Sequence, residues 1–118
     1  MNKDEFSKKL SSIEEILTDT QVREILINSL SPETESKFRG YNNMIIAIEE
    51  FAECSKEITK VLRGKPDKVH LIEELADVQL SIMYIQEICQ ISDSCLKKAV
   101  SVKMNRVNDT LKKYNKWE

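Results

Sequence analysis

Two pairs of acidic residues, each with its members three positions apart, are the part of this sequence best suited to chemistry. The first pair is Glu50 and Glu53, and the second is Glu74 and Asp77. Residues three apart share one face of an α-helix. Four carboxylates crowded together repel one another and raise one another's pKa, and a hard divalent cation resolves that conflict. The pattern predicts a site for Mg²⁺, with Mn²⁺ as a substitute.

The site requires two helices that place these pairs at the same height. Gly64 follows a long amphipathic pattern and precedes another, and glycine commonly ends a helix. We therefore expect the chain to reverse at Gly64. Counted outward from that turn, Glu50 lies level with Asp77, and Glu53 lies level with Glu74. The turn predicts that all four carboxylates converge between the two helices.

The rest of the sequence also reads as helix, because Gly and Pro are scarce and alternating β-type runs are absent. The fold class expected is all-α: an antiparallel helical bundle, completed by homo-oligomerisation because 118 residues bury only a small core. Residues 1–35 form an N-terminal helical extension and 36–118 the main helical domain, within one structural domain. The predicted helices cover 4–17, 22–30, a segment from 31–33 to about Gly40, 38–63, 66–89 and 92 onward.

Apolar residues at helical spacing predict which helix faces are buried. On the three C-terminal helices, the residues expected to point inward are Ile45, Ile48, Ala52, Ser55, Ile58 and Leu62, then Val69, Ile72, Leu75, Ala76, Gln79, Ile82 and Met83, and finally Leu96, Val100, Met104, Val107 and Leu111.

The amino-acid composition argues against a nucleic-acid-binding, secreted or membrane-spanning protein. The 20 acidic and 18 basic residues nearly cancel, and aromatic stacking platforms are few, which argues against a nucleic-acid-binding protein. Three cysteines without a C-x-x-C pair indicate reduced thiols and a cytoplasmic location. Neither a signal peptide nor a membrane span is expected, since the longest apolar run is only Met44 to Ile48.

The two acidic segments, I-E-E-F-A-E at 48–53 and L-I-E-E-L-A-D-V at 71–78, resemble the metal-binding helices of MazG-like nucleotide pyrophosphohydrolases. The link K-E-I-T-K-V-L-R-G-K at 56–65 is similar to the phage and Gram-positive branch of that family. The resemblance covers roughly residues 40–108, and residues 1–35 lie outside it.

The resemblance implies a homodimer or homotetramer that hydrolyses nucleoside or deoxynucleoside triphosphates to monophosphate and pyrophosphate, as a nucleotide-pool house-cleaning enzyme. It assigns Mg²⁺ to the four acids named above. Glu53 and Glu50 would be the catalytic residues; one of the glutamates, with Glu53 as one candidate, would orient the attacking water, and the sequence does not select among them. Lys103 and Arg106 would contact phosphate oxygens, although they are three residues apart where some members of the family have four.

Several alternatives remain open from the sequence. Asn43, two turns before Glu50, is a candidate contact to the base or sugar, or an ordinary polar helix residue. The acids would instead point outward if they paired with lysines 56, 60 and 68. His70 is expected to face Glu57 as an exposed ion pair. A nucleotide sensor without turnover and a helical protein-interaction regulator are the competing functions.

Overall fold

All regular structure in the described part of the chain is α-helical. The computed structural model describes residues 1–30 and 41–115, and the all-α class is confirmed for these two ranges. The expected helix start at 31–33 and the break at Gly40 lie outside them. None of the described helices is both long enough and apolar enough to cross a membrane. The helices are α1 (Lys3–Ser12), α2 (Asp19–Ser29), α3 (Tyr41–Leu62), α4 (Lys68–Cys89) and α5 (Asp93–Asn115).

Side-chain caps determine where four of the helices begin, and Asn2 caps α1 by accepting a hydrogen bond from the backbone N–H of Glu5 at 2.9 Å. Thr18 Oγ1 accepts a hydrogen bond from the backbone N–H of Gln21 at 3.2 Å, and the Gln21 side chain accepts one from the Thr18 backbone at 2.9 Å. This reciprocal pair starts α2. Asp67 caps α4 through the backbone N–H of His70 at 3.2 Å, and Ser92 caps α5 in the same way. The start predicted for α5 agrees with the structure to one residue, whereas α2 begins three residues before the predicted position 22 and α4 two residues after the predicted position 66.

The first helix is shorter than predicted. It ends at Ser12, and Ile13 has extended backbone angles, whereas the apolar spacing predicted a helix to residue 17. Ile13, Ile16 and Leu17 are 52% to 84% exposed, so no packing in the described residues stabilises a further turn of helix. The apolar residues beyond Ser12 therefore do not continue the helical face.

The α3–α4 hairpin is the centre of the fold. Gly64 adopts a positive φ of 74° at the end of α3, as its predicted role as a helix stop requires. After this turn, α4 returns along α3, and the two helices form the most extensive packing in the described residues. Both α1 and α2 pack on α4. Leu26 and Leu30 are buried there, and the Arg23 side chain contacts Asp93 at the start of α5.

The faces that α3 and α4 bury are not the predicted ones. Ala47, Cys54, Glu57, Glu74 and Ser81 are buried. The residues expected to point inward are largely outside: the exposed fraction is 67% for Ile48 and 45% for Leu75. The prediction of these stripes is wrong for the single chain, because small and acidic residues occupy the shared face and leave the apolar faces unpaired.

The last helix lies apart from the other four. Leu96 is half-buried, but Val100, Met104, Val107 and Leu111 are between 48% and 57% exposed, so the inward face predicted for α5 is also wrong within one chain. No extensive contact joins α5 to α3 or α4 in the described residues. The radius of gyration is 18.1 Å, against about 13.5 Å for a compact domain of this length. Within residues 1–30 and 41–115, one chain does not enclose its apolar surface.

Candidate metal centre

Three carboxylates meet on the face that α3 and α4 share. Glu50 comes from α3, and Glu74 and Asp77 come from α4. One oxygen of each lies within 4.8 Å of the corresponding oxygen of the other two. Glu74 is buried, and Glu50 and Asp77 are half-buried. The arrangement follows from the turn at Gly64, since Glu50 and Asp77 lie at nearly equal distances along the chain from it.

The electrostatics of this acidic cluster oppose full ionisation. Burial raises the pKa of Glu50, and the neighbouring Asp77 raises it further by its charge and by direct contact. Burial likewise raises the pKa of Glu74, with the charge of Asp77 next in importance and His70 acting in the opposite direction. Glu50 and Glu74 are therefore each destabilised as anions by burial and by neighbouring carboxylates. A divalent cation between them would reverse that effect.

Glu53, the fourth acid of the predicted set, is not part of the group within 4.8 Å. Its side chain is 48% exposed, and its Oε1 lies 3.3 Å from Lys56 Nζ. The outward lysine pairing considered as an alternative is therefore what the structure shows at this residue. Its charge nonetheless raises the pKa of both Glu50 and Glu74, so Glu53 stays within electrostatic reach of the cluster.

A histidine joins the cluster to a second buried carboxylate. His70 Nδ1 lies 2.8 Å from Glu57 Oε1, as the level of the two residues across the turn predicted. Glu57 is only 3% exposed, so the expected exposed ion pair is in fact largely buried. His70 Nε2 lies 3.1 Å from Glu74 Oε1. Sequence reasoning missed this second contact, although a separation of four residues on one helix is a usable signal.

Two buried carboxylate oxygens in this region have no hydrogen-bond partner. They are Glu57 Oε2 and Glu74 Oε2. A buried charged oxygen without a partner is costly, and native structures normally satisfy such groups. Glu74 Oε2 belongs to a residue of the acidic cluster, so the unmet bonding capacity lies where a cation would meet it. The all-oxygen donor set fits Mg²⁺.

The remaining predicted site residues are not brought to the cluster by one chain. Lys103 and Arg106 are exposed on α5, which does not pack along the hairpin. Asn43 is half-buried on α3, two helical turns before Glu50. Their assignments to phosphate, base or sugar stay predictions.

Comparison of the chain with models of known protein families, with curated proteins and with solved structures gave no match in any of the three. The features that indicate a function for this chain are therefore the geometry of the acidic cluster and the sequence motifs that form it.

Proposed function

We propose that this chain is a Mg²⁺-dependent nucleotide pyrophosphohydrolase of the MazG-like kind, which hydrolyses nucleoside or deoxynucleoside triphosphates to monophosphate and pyrophosphate. The observation that carries the proposal is the meeting of Glu50, Glu74 and Asp77 on the shared face of α3 and α4. Three acids gathered in a partly buried interface are unfavourable without a cation, and Mg²⁺ characteristically shares such ligands with substrate phosphates.

Different residues of the hairpin would have different tasks. Glu50, Glu74 and Asp77 would hold the cation, with Glu53 as a further ligand from its exposed edge. When bound, Mg²⁺ supplies positive charge against the phosphate oxygens and lowers the pKa of a coordinated water. The Glu53 carboxylate is the most accessible of the four acids to solvent. It is therefore best placed to orient an attacking water and accept its proton.

Assembly of more than one chain is part of the proposal. The apolar faces of α3, α4 and α5 are exposed in the single chain, and burying them in an antiparallel bundle with a second copy, as a homodimer or homotetramer, would remove them from water. Lys103 and Arg106 do not lie against the cluster of their own chain. They reach a triphosphate there only if assembly brings an α5 helix across the hairpin.

The test is release of pyrophosphate and monophosphate from a panel of ribo- and deoxynucleoside triphosphates, with Mg²⁺ and with chelator. We expect equal amounts of the two products, Mg²⁺ dependence, and loss of activity in Asp77→Asn. Asp109→Asn makes the same chemical change on exposed α5 and should retain activity. A folded wild-type protein that binds nucleotide without releasing product would instead be a sensor, and one that binds none would leave only the interaction-regulator function.

Mixing variants tests the contribution of α5. Lys103→Ala and Asp77→Asn should each be weakly active or inactive alone. If α5 of one copy serves the cluster of another, a mixed oligomer contains some sites with both native residues and regains activity. No recovery after verified exchange of subunits would mean that Lys103 does not act across the interface.

A further inference from the structure

We propose that His70 is a positioning residue that holds Glu74 in place for a divalent cation, with Glu57 as its anchor on the opposite helix. This inference depends on the proposed function only through the metal, and not on which nucleotide is hydrolysed. It starts from one structural fact, which is that a single imidazole ring lies against carboxylates of both α3 and α4.

The two contacts leave one oxygen of Glu74 available. His70 Nε2 lies 3.1 Å from Glu74 Oε1, while Glu74 Oε2 is buried without a partner. Side chains that bond a metal-ligating carboxylate from outside orient it and determine how well it binds. The ring therefore occupies one oxygen of Glu74 and presents the other for coordination.

Glu57 is suited to be an anchor rather than a ligand. It lies two turns after Glu50 on the same face of α3 and is 3% exposed, yet it is not part of the acidic cluster. Its Oε1 is contacted by His70 Nδ1 at 2.8 Å and by Lys60 Nζ at 2.8 Å. Lys60 holds Glu57 from its own helix, and Glu57 in turn fixes the ring from the α3 side.

A purely structural ion pair makes a different prediction. If His70 only joined α3 to α4, its removal would lower the free energy of unfolding equally with and without Mg²⁺. If it positions Glu74, its removal weakens Mg²⁺ binding itself. Mg²⁺ affinity, measured by calorimetric titration of the full-length protein, separates the two.

The variants are His70→Ala, His70→Gln and Glu87→Gln. We expect His70→Ala to raise the Mg²⁺ dissociation constant about 10-fold or more, the range found when such outer partners are lost. His70→Gln keeps one N–H donor and should fall between that variant and the wild type. Glu87 on α4 forms an ion pair with Arg23 of α2 at 3.7 Å, so it also joins α4 to another helix. It lies about 20 Å from Glu74 along α4, so Glu87→Gln should bind Mg²⁺ normally. Normal affinity in folded His70→Ala would overturn the proposal.

A second measurement needs no change at His70. It is the only histidine in the sequence, so its ring C–H signals in an NMR spectrum need no assignment. We expect those signals to move as Mg²⁺ is added to the wild-type protein, and to stay fixed in Asp77→Asn. Mg²⁺ binding with unmoved His70 signals would overturn the positioning role alone. Absence of Mg²⁺ binding to the wild type would overturn the metal centre and, with it, this role.

Discussion

Replacing Asp77 with asparagine should stabilise the protein when Mg²⁺ is absent and make it the less stable protein when Mg²⁺ is present. The substitution keeps the size of the side chain and removes one negative charge from the acidic cluster. Asp77 is the residue whose charge most raises the pKa of both Glu50 and Glu74. Without a cation, its loss relieves two repulsions at once.

The magnitude follows from the separation of the charges. The carboxylate oxygens lie within 4.8 Å of one another, and at that upper limit two unit charges repel by about 3.5 kcal/mol at an effective dielectric constant of 20, and by about 0.9 kcal/mol in bulk water. Glu50 and Asp77 are half-buried, so solvent screens part of this energy, and protonation relieves more. We expect Asp77→Asn to raise the free energy of unfolding in chelator by about 1 to 2 kcal/mol.

Mg²⁺ should reverse the order of the two proteins. A ligand that binds only the folded state stabilises it by about 2.7 kcal/mol when its concentration is 100 times the dissociation constant. The wild type gains this energy, whereas Asp77→Asn has lost a ligand and gains little. Urea unfolding at one fixed protein concentration, with chelator and with Mg²⁺, measures both differences. Asp109→Asn on exposed α5 is the control and should follow the wild type in both conditions.

A loss of stability in Asp77→Asn in chelator would contradict this prediction, because the charge of Asp77 would then stabilise the folded protein even without a cation. A gain of stability from Mg²⁺ as large as that of the wild type would contradict it as well. Unchanged behaviour in both conditions would mean that Asp77 neither repels its neighbours nor binds the ion.

Three further predictions concern the cluster, the outer surface and a helix start. The pKa of Glu50 is raised in the folded state, so protonated Glu50 contributes stability that is fully present below the ordinary value of 4.5 and is lost as the pH rises through the folded-state pKa. In chelator, Glu50→Gln should therefore gain stability relative to the wild type as the pH of the urea titrations rises. A difference that stays constant with pH would contradict this prediction. Val107→Glu should lower the molar mass seen by light scattering while Val107→Ala does not, and an unchanged mass in both would exclude α5 from the interface. Thr18→Ala removes the capping contact with Gln21 and should cost about 1 kcal/mol in urea unfolding, whereas no loss would show that α2 contributes little to the stability measured.

Local signals in the sequence were sufficient to locate the hairpin and three of the four predicted acids, but not to show that Glu53 turns towards Lys56. Gly64 and the Asp67 cap determine where one helix ends and the next begins, and both act over a few residues. Once the turn is located, helical geometry determines which residues lie level, as Glu57 and His70 show at 2.8 Å. These features were predictable because neither depends on the rest of the chain.

The buried faces were not predictable in the same way. Apolar spacing identifies a face that avoids water, but it does not say whether the same chain covers that face. On α3, Ile48 and Ile58 lie outside, while Cys54 and Glu57 lie inside. A rule that places apolar residues in the core fails in a subunit whose inner face carries the acidic cluster. The contact of His70 with Glu74 was missed although the two residues are four apart on one helix, a spacing that brings side chains together.

The exposure of α5 also determines which mutations the protein can tolerate. Val100, Met104 and Val107 are each about half exposed in the described residues, so replacing them should disturb the folding of one chain little. Their main effect should appear in contacts with another molecule, whether a second subunit or a substrate. In a library sorted first for folding and then for activity, polar replacements of these three residues should pass the first sort and be lost in the second, whereas changes at Asp109 should pass both.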